Sequence, residues 1–137
     1  MDTHLYLGVD AQPTELGLVR RAVQTWLAAH DWPGPATDAL VFAVTEAFGN
    51  SVEHAYRGLE AGRVAIDLDV APVCGHRRVT AVVTDTGRWR DGAGRTDCRG
   101  NGLAMIRAIT PGMDVTTGES GTRVTVWTDD DVAPTPP

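Results

Sequence analysis

The sequence predicts an α+β fold, a two-layer sandwich in which helices pack on one face of a mixed, mainly antiparallel sheet. Three observations lead there. The elements come in the order β-α-α-β-β-loop-α-β-β, not as repeating βαβ units. Several short segments alternate apolar and polar residues, as half-buried strands do. Two longer segments carry apolar stripes at helical period, and one sheet face would bury both stripes.

The elements follow in order along the chain. Residues 3–9, Thr-His-Leu-Tyr-Leu-Gly-Val, alternate as a strand. Pro13-Thr14-Glu15 opens a helix to about His30; proline suits a first turn, and glutamate sits at the positive dipole end. Its stripe is Leu16, Val19, Val23, Trp26 and Leu27. Pro33-Gly34-Pro35 interrupts the chain, and a second helix runs from about Ala36 to Tyr56. Gly58 to Gly62 reads as a turn. Val64, Ile66, Leu68 and Val70 alternate with Ala65, Asp67 and Asp69, which predicts a strand with one wet face. Pro72 to His76 reads as a hairpin turn and Val79 to Thr84 as the next strand. Residues 85–100, rich in Gly, Arg and Asp, read as a loop. Leu103 to Ile109 reads as a short helix that Pro111 ends. Val115–Thr117 and Thr122–Trp127 read as closing strands joined through Gly118 to Gly121. Residues 1–128 thus make one domain, and the acidic, proline-rich residues 129–137 read as a disordered tail.

Composition narrows the function. A chain of 137 residues suits one core. No apolar stretch approaches the ~20 residues that cross a bilayer. Met1-Asp2-Thr3-His4 lacks the basic start and apolar run of a signal peptide, so the expected location is cytoplasmic. Cys74 and Cys98 lie far apart without metal-ligand spacing and read as free thiols. A net charge of -6 argues against direct nucleic-acid binding. All 12 basic residues are arginine, and there is no lysine. That excludes a Walker A loop and Schiff-base chemistry. Any nucleotide site must hold phosphates with arginines, backbone N–H groups and metal.

The second helix segregates its residues. Val41, Val44, Phe48, Val52 and Ala55 fall on one side; Glu46, Asn50, Glu53, His54 and Arg57 fall opposite. Phe42 lies nearer the polar side without an evident role. Glu46 and Asn50 are one turn apart, so their side chains share a ridge. A carboxylate there can take a proton from an attacking hydroxyl, and an amide oxygen is a hard, neutral ligand suited to Mg²⁺. Spacing alone favours a solvated face, although a mid-helix Asn is unusual on one.

Asp85-Thr86-Gly87 ends an apolar strand. An Asp there can accept from an exocyclic amine while glycine lets a flat ring approach; alone, it is also an ordinary strand-ending turn. The following loop holds Arg88, Arg90, Arg95 and Arg99, a positive cluster suited to phosphates, or else a solvated loop balanced by Asp91 and Asp97. Arg99-Gly100-Asn101-Gly102-Leu103 then opens a helix, where backbone N–H groups and the dipole favour an anion. Gly121-Thr122-x-Val124 begins the last strand.

These pieces, in this order, resemble the GHKL ATPase family of gyrase, histidine kinases and anti-sigma-factor kinases. Glu46-Ala47-Phe48-Gly49-Asn50-Ser51-Val52-Glu53-His54-Ala55-Tyr56 looks like the N box, Asp85-Thr86-Gly87 like the G1 box and Arg99-Gly100-Asn101-Gly102-Leu103 like the G2 box. Gly121-Thr122-Arg123-Val124 looks like the terminal Gly-Thr element. The His-Ala-Tyr ending and the Gly-Arg-Trp-Arg run after the Asp are most similar to the single-domain anti-sigma-factor serine/threonine kinases. The likeness spans roughly residues 3–128 and implies a Bergerat-type ATP-binding fold.

The resemblance implies roles residue by residue. Asn50 would bind the Mg²⁺ that bridges the ATP phosphates, and Glu46 would be the general base. Asp85 would accept from the adenine amine, with Gly87 giving room for the ring. Residues 88–99 would be a lid that orders when nucleotide binds. Arg99, Gly100 and Gly102 would meet the phosphates, and Thr122 would help hold adenine. The implied function is an ATP-dependent kinase acting in transcription regulation. It would phosphorylate a STAS-type antagonist and capture a sigma factor, as a possible homodimer. The alternative is a module that binds nucleotide and partner without transferring phosphate; Glu46 favours the kinase, since a pure binder needs no base.

Overall fold

Period-two alternation builds the sheet, and its register decides which side chains reach the site. The computed structural model describes residues 3–57, 62–85, 112–118 and 121–130. Strands β1 (His4–Asp10), β2 (Arg63–Val73), β3 (His76–Asp85), β4 (Gly112–Gly118) and β5 (Gly121–Asp129) form a five-stranded sheet in the order β1-β2-β3-β5-β4. Every described pairing is antiparallel. On one of its faces three rows run across β1, β2, β3 and β5: Leu5-Leu68-Ala81-Val126, Leu7-Ile66-Val83-Val124 and Val9-Val64-Asp85-Thr122. The first two rows are apolar throughout. The third changes character halfway, and its polar half is where the site lies.

The helices cover one face. A 3-10 turn at Pro13–Glu15 leads into α1 (Leu16–Ala29), and α2 (Gly34–Arg57) follows. Helix α2 packs on β3 and β5, and α1 packs on α2. Leu27, Leu40, Val44, Phe48, Ile66, Leu68 and Val79 are fully buried between the layers. Each such side chain contributes about 1.5–3 kcal/mol by leaving water, and Phe48→Ala would cost about 3–5 kcal/mol. Of the expected stripes, Val19, Val23, Trp26 and Leu27 on α1 and Val41, Val44, Phe48 and Val52 on α2 are buried, while Leu16 and Phe42 pack half-buried against the core.

Helix α1 stops sharply. Asp31 takes a left-handed φ of 55. The Trp32 N–H then donates to Leu27 O and the Asp31 N–H to Ala28 O, the double closure that satisfies terminal carbonyls. Trp32 is thereby buried against the core. None of the helices among the described residues is long and apolar enough to cross a membrane.

Several elements extend beyond their sequence-based limits, among them β3 from His76 and β4 from Gly112, and two of the extensions have structural consequences. Strand β2 continues through Pro72 to Val73, because Val73 pairs directly with His76 and the turn is only Cys74-Gly75. Both turn residues have positive φ, 48 and 88, the geometry whose twist matches a hairpin. At the other end β5 runs to Asp129, and Asp130 is tied down as well. The Arg77 backbone N–H and Nε both donate to Asp130, at 2.9 and 2.7 Å. Arg78 Nε donates to Asp129 Oδ1 at 2.7 Å, and His76 Nε2 lies 3.0 Å from Asp129 Oδ2. Strand pairing and these ion pairs hold 129 and 130, the first two residues of the expected tail, to the sheet. Arg77 also stacks 5.0 Å from the Trp32 ring, joining the hairpin to the helical layer.

Candidate functional site

The site gathers where the second half of α2 meets the end of β3 and the start of β5. Asp85 is the last residue of β3, and Thr122 the second of β5. They are register partners, so both point to the helix-facing side. Asp85 is 6% exposed and Thr122 4%. A strand of this pattern would ordinarily place two apolar residues there, as the neighbouring row does with Val83 and Val124. Thr122 Oγ1 is buried and has no hydrogen-bond partner among the described residues. Such a hydroxyl costs about 1–3 kcal/mol unless something supplies its missing partner.

Helix α2 contributes from above. Asn50 and Ser51 are both buried, at 6% exposure each. Burial of Asn50 is not what a solvated helix face produces. Glu46 and Glu53, on the same side of the helix, are half-buried. Ser51 Oγ donates to Asp85 Oδ2 at 2.9 Å, linking residues 34 positions apart. It also lies 3.3 Å from Ala47 O, one turn back.

The contact and the strand pairing bring three of the sequence-predicted regions together: Asn50 adjoins Ser51, which touches Asp85, which pairs with Thr122. Glu46 stands one turn before Asn50 on the same helix. Ser51 itself was not singled out by sequence reasoning. A signal existed: a small hydroxyl residue sits between the polar Asn50 and the stripe residue Val52, at the edge of the apolar face. Gly87, Arg99, Gly100 and Gly102 lie outside the described residues, as do the segments expected to form a lid at 88–99 and a short helix at 103–109, and residues 131–137.

Chemically, the described half of the site offers a buried carboxylate beside a hydroxyl on the sheet, with an amide and a carboxylate on the helix above. The first pair suits a flat heterocycle carrying an amine and a ring nitrogen. The second suits a hydrated divalent cation and a proton to be moved. Among the described residues no cluster of three or more His, Cys, Asp or Glu side chains could hold a metal by itself. A cation here would need oxygen ligands from another source, such as phosphates.

Residues 9–127 match the family model described as the histidine kinase-like ATPase domain. Among solved structures the chain is similar to that of the RsbU and RsbW domains of Rv1364c from Mycobacterium tuberculosis. The TM-score is 0.69 and the identity 26%, over 93% of this chain and 32% of that one. The chain thus spans about a third of the length of that relative.

Proposed function

The chain belongs to the histidine kinase-like ATPase domain family, and on that footing we propose that it is an ATP-binding regulatory protein kinase of the anti-sigma-factor type. Its nucleotide-binding domain extends through Asp130. The observation that carries this reading is the buried Asp85–Thr122 pair, whose threonine hydroxyl has no partner among the described residues. A carboxylate acceptor next to such a hydroxyl fits adenine.

Each residue has a task. Asp85 accepts a hydrogen bond from the exocyclic amine, and Thr122 supplies its hydroxyl to the neighbouring ring edge, directly or through water. Asn50 offers its amide oxygen to Mg²⁺. The ion, when bound, neutralises phosphate charge, which together with positioning is most of what phosphoryl transfer requires. Glu46 takes the proton from the serine or threonine hydroxyl that receives the phosphate. By the likeness of their motifs, Arg99, Gly100 and Gly102 meet the phosphates and Gly87 leaves room beside the ring. The acceptor is a small STAS-type antagonist, and a sigma factor binds the same protein in a partner-switching circuit in the cytoplasm.

Incubating the purified protein with Mg²⁺, labelled ATP and a candidate STAS-type protein tests this. Label on a serine or threonine of the acceptor is expected. Nucleotide binding without any transfer would instead favour a partner-capture module, and absence of nucleotide binding would overturn the reading altogether.

A further inference from the structure

We propose that Ser51 is a positioning residue for base recognition: its hydroxyl holds the Asp85 carboxylate in the orientation from which it meets the adenine amine. The inference rests on the nucleotide reading above and adds to it a residue from the helical layer that selects the base.

The geometry carries it. Ser51 Oγ is 2.9 Å from Asp85 Oδ2, and both residues are buried at 6% exposure. A serine hydroxyl has one proton to give. Its two acceptors here are unequal: Ala47 O, at 3.3 Å, is a backbone carbonyl, whereas Asp85 Oδ2, at 2.9 Å, is nearer and belongs to a carboxylate side chain. The shorter bond is the stronger, so the proton goes to the carboxylate and the backbone carbonyl is its fallback. Donation to one carboxylate oxygen has a consequence for the ligand. It restrains the side-chain torsions before binding, so less rotamer freedom is lost when the base arrives. Ser51 is one residue beyond Asn50, so the helix segment proposed to meet the cation also aims the group that reads the base.

The experiment compares Mg-ADP with the diphosphate of unsubstituted purine riboside, which is ADP without its amine, by calorimetric titration. Ser51→Ala should weaken Mg-ADP roughly tenfold, about the loss of one hydrogen bond. It should leave the deaminated analogue unchanged. In an Asp85→Ala background, adding Ser51→Ala should change nothing further, because Ser51 acts through Asp85. Circular dichroism would check that the variants fold; alanine suits mid-helix. Equal losses for both nucleotides, no loss for Mg-ADP, or an additive loss in the double variant would each overturn the positioning role. If wild type itself shows no preference for ADP over the analogue, the assignment of adenine to Asp85 falls first, which separates the two failures.

Discussion

Asp85 and Thr122 sit side by side across β3 and β5, both buried on the face that the helices cover. The pair ends a mostly apolar sheet face, and the two residues respond differently to removal. Thr122→Val keeps shape and discards a buried hydroxyl that lacks a partner among the described residues. The ligand-free protein should melt at the same or a higher temperature, while Mg-ADP binds more weakly by about 0.5–1.5 kcal/mol. Asp85→Ala should cost about 1–3 kcal/mol of binding. Calorimetric titration and melting of the same samples check both; undiminished affinity in both variants would remove the pair from the base site.

Glu46 and Asn50 should separate binding from transfer. Asn50→Ala is expected to weaken nucleotide binding only when Mg²⁺ is present. Glu46→Gln should leave binding near normal and slow transfer by about 10²–10⁴-fold, the usual range for a lost general base. Unchanged transfer in Glu46→Gln would show that the proton goes elsewhere.

The hairpin turn offers a stability test away from the site. Cys74 is exposed and held at φ 48, a conformation that costs an ordinary residue about 1–2 kcal/mol and asparagine less. Cys74→Asn should therefore stabilise the protein by about 0.5–1 kcal/mol, with no effect on nucleotide affinity. A lowered urea midpoint would contradict the turn geometry.

The far end of the sheet should be acid-sensitive. The Arg78 hydrogen bond holds the Asp129 carboxyl below its ordinary value, and the Arg77 hydrogen bonds do the same for Asp130. Folded, these groups bind protons less readily than unfolded. Their contribution is thus complete above the ordinary carboxylate value of about 4 and is lost as pH falls through the lower folded values. Both pairs are partly exposed, so the effect is modest. Urea midpoints at pH 7, 4 and 3 should fall less steeply for Asp129→Asn/Asp130→Asn than for wild type.

Most of the architecture was legible because its signals are local. Val64, Ile66 and Leu68 alternate, and Val19, Val23 and Leu27 recur at helical spacing; all six are buried as that pattern requires. What was not legible depends on contacts between elements. A helical projection puts Asn50 opposite the apolar stripe and hence in water, yet the residue is buried. Ser51 went unremarked because its partner is 34 residues away. The strand limits at Val73 and Asp129 depend on a two-residue turn and on cross-strand ion pairs, neither of which composition reveals.

The alternation on β2 also guards the sheet against its own commonest error. Asp67 and Asp69 point away from the helices while Ile66 and Leu68 point toward them. If β2 slid by one residue between β1 and β3, both carboxylates would turn into the core and both aliphatic side chains into water. Each buried, unpaired carboxylate costs several kcal/mol, so the slip would consume most of a typical stability margin of about 5–15 kcal/mol. The two aspartates thus proofread strand alignment. Replacing both with valine would leave the correct pairing intact but erase the penalty on the wrong one, and doubled amide resonances would reveal the second alignment.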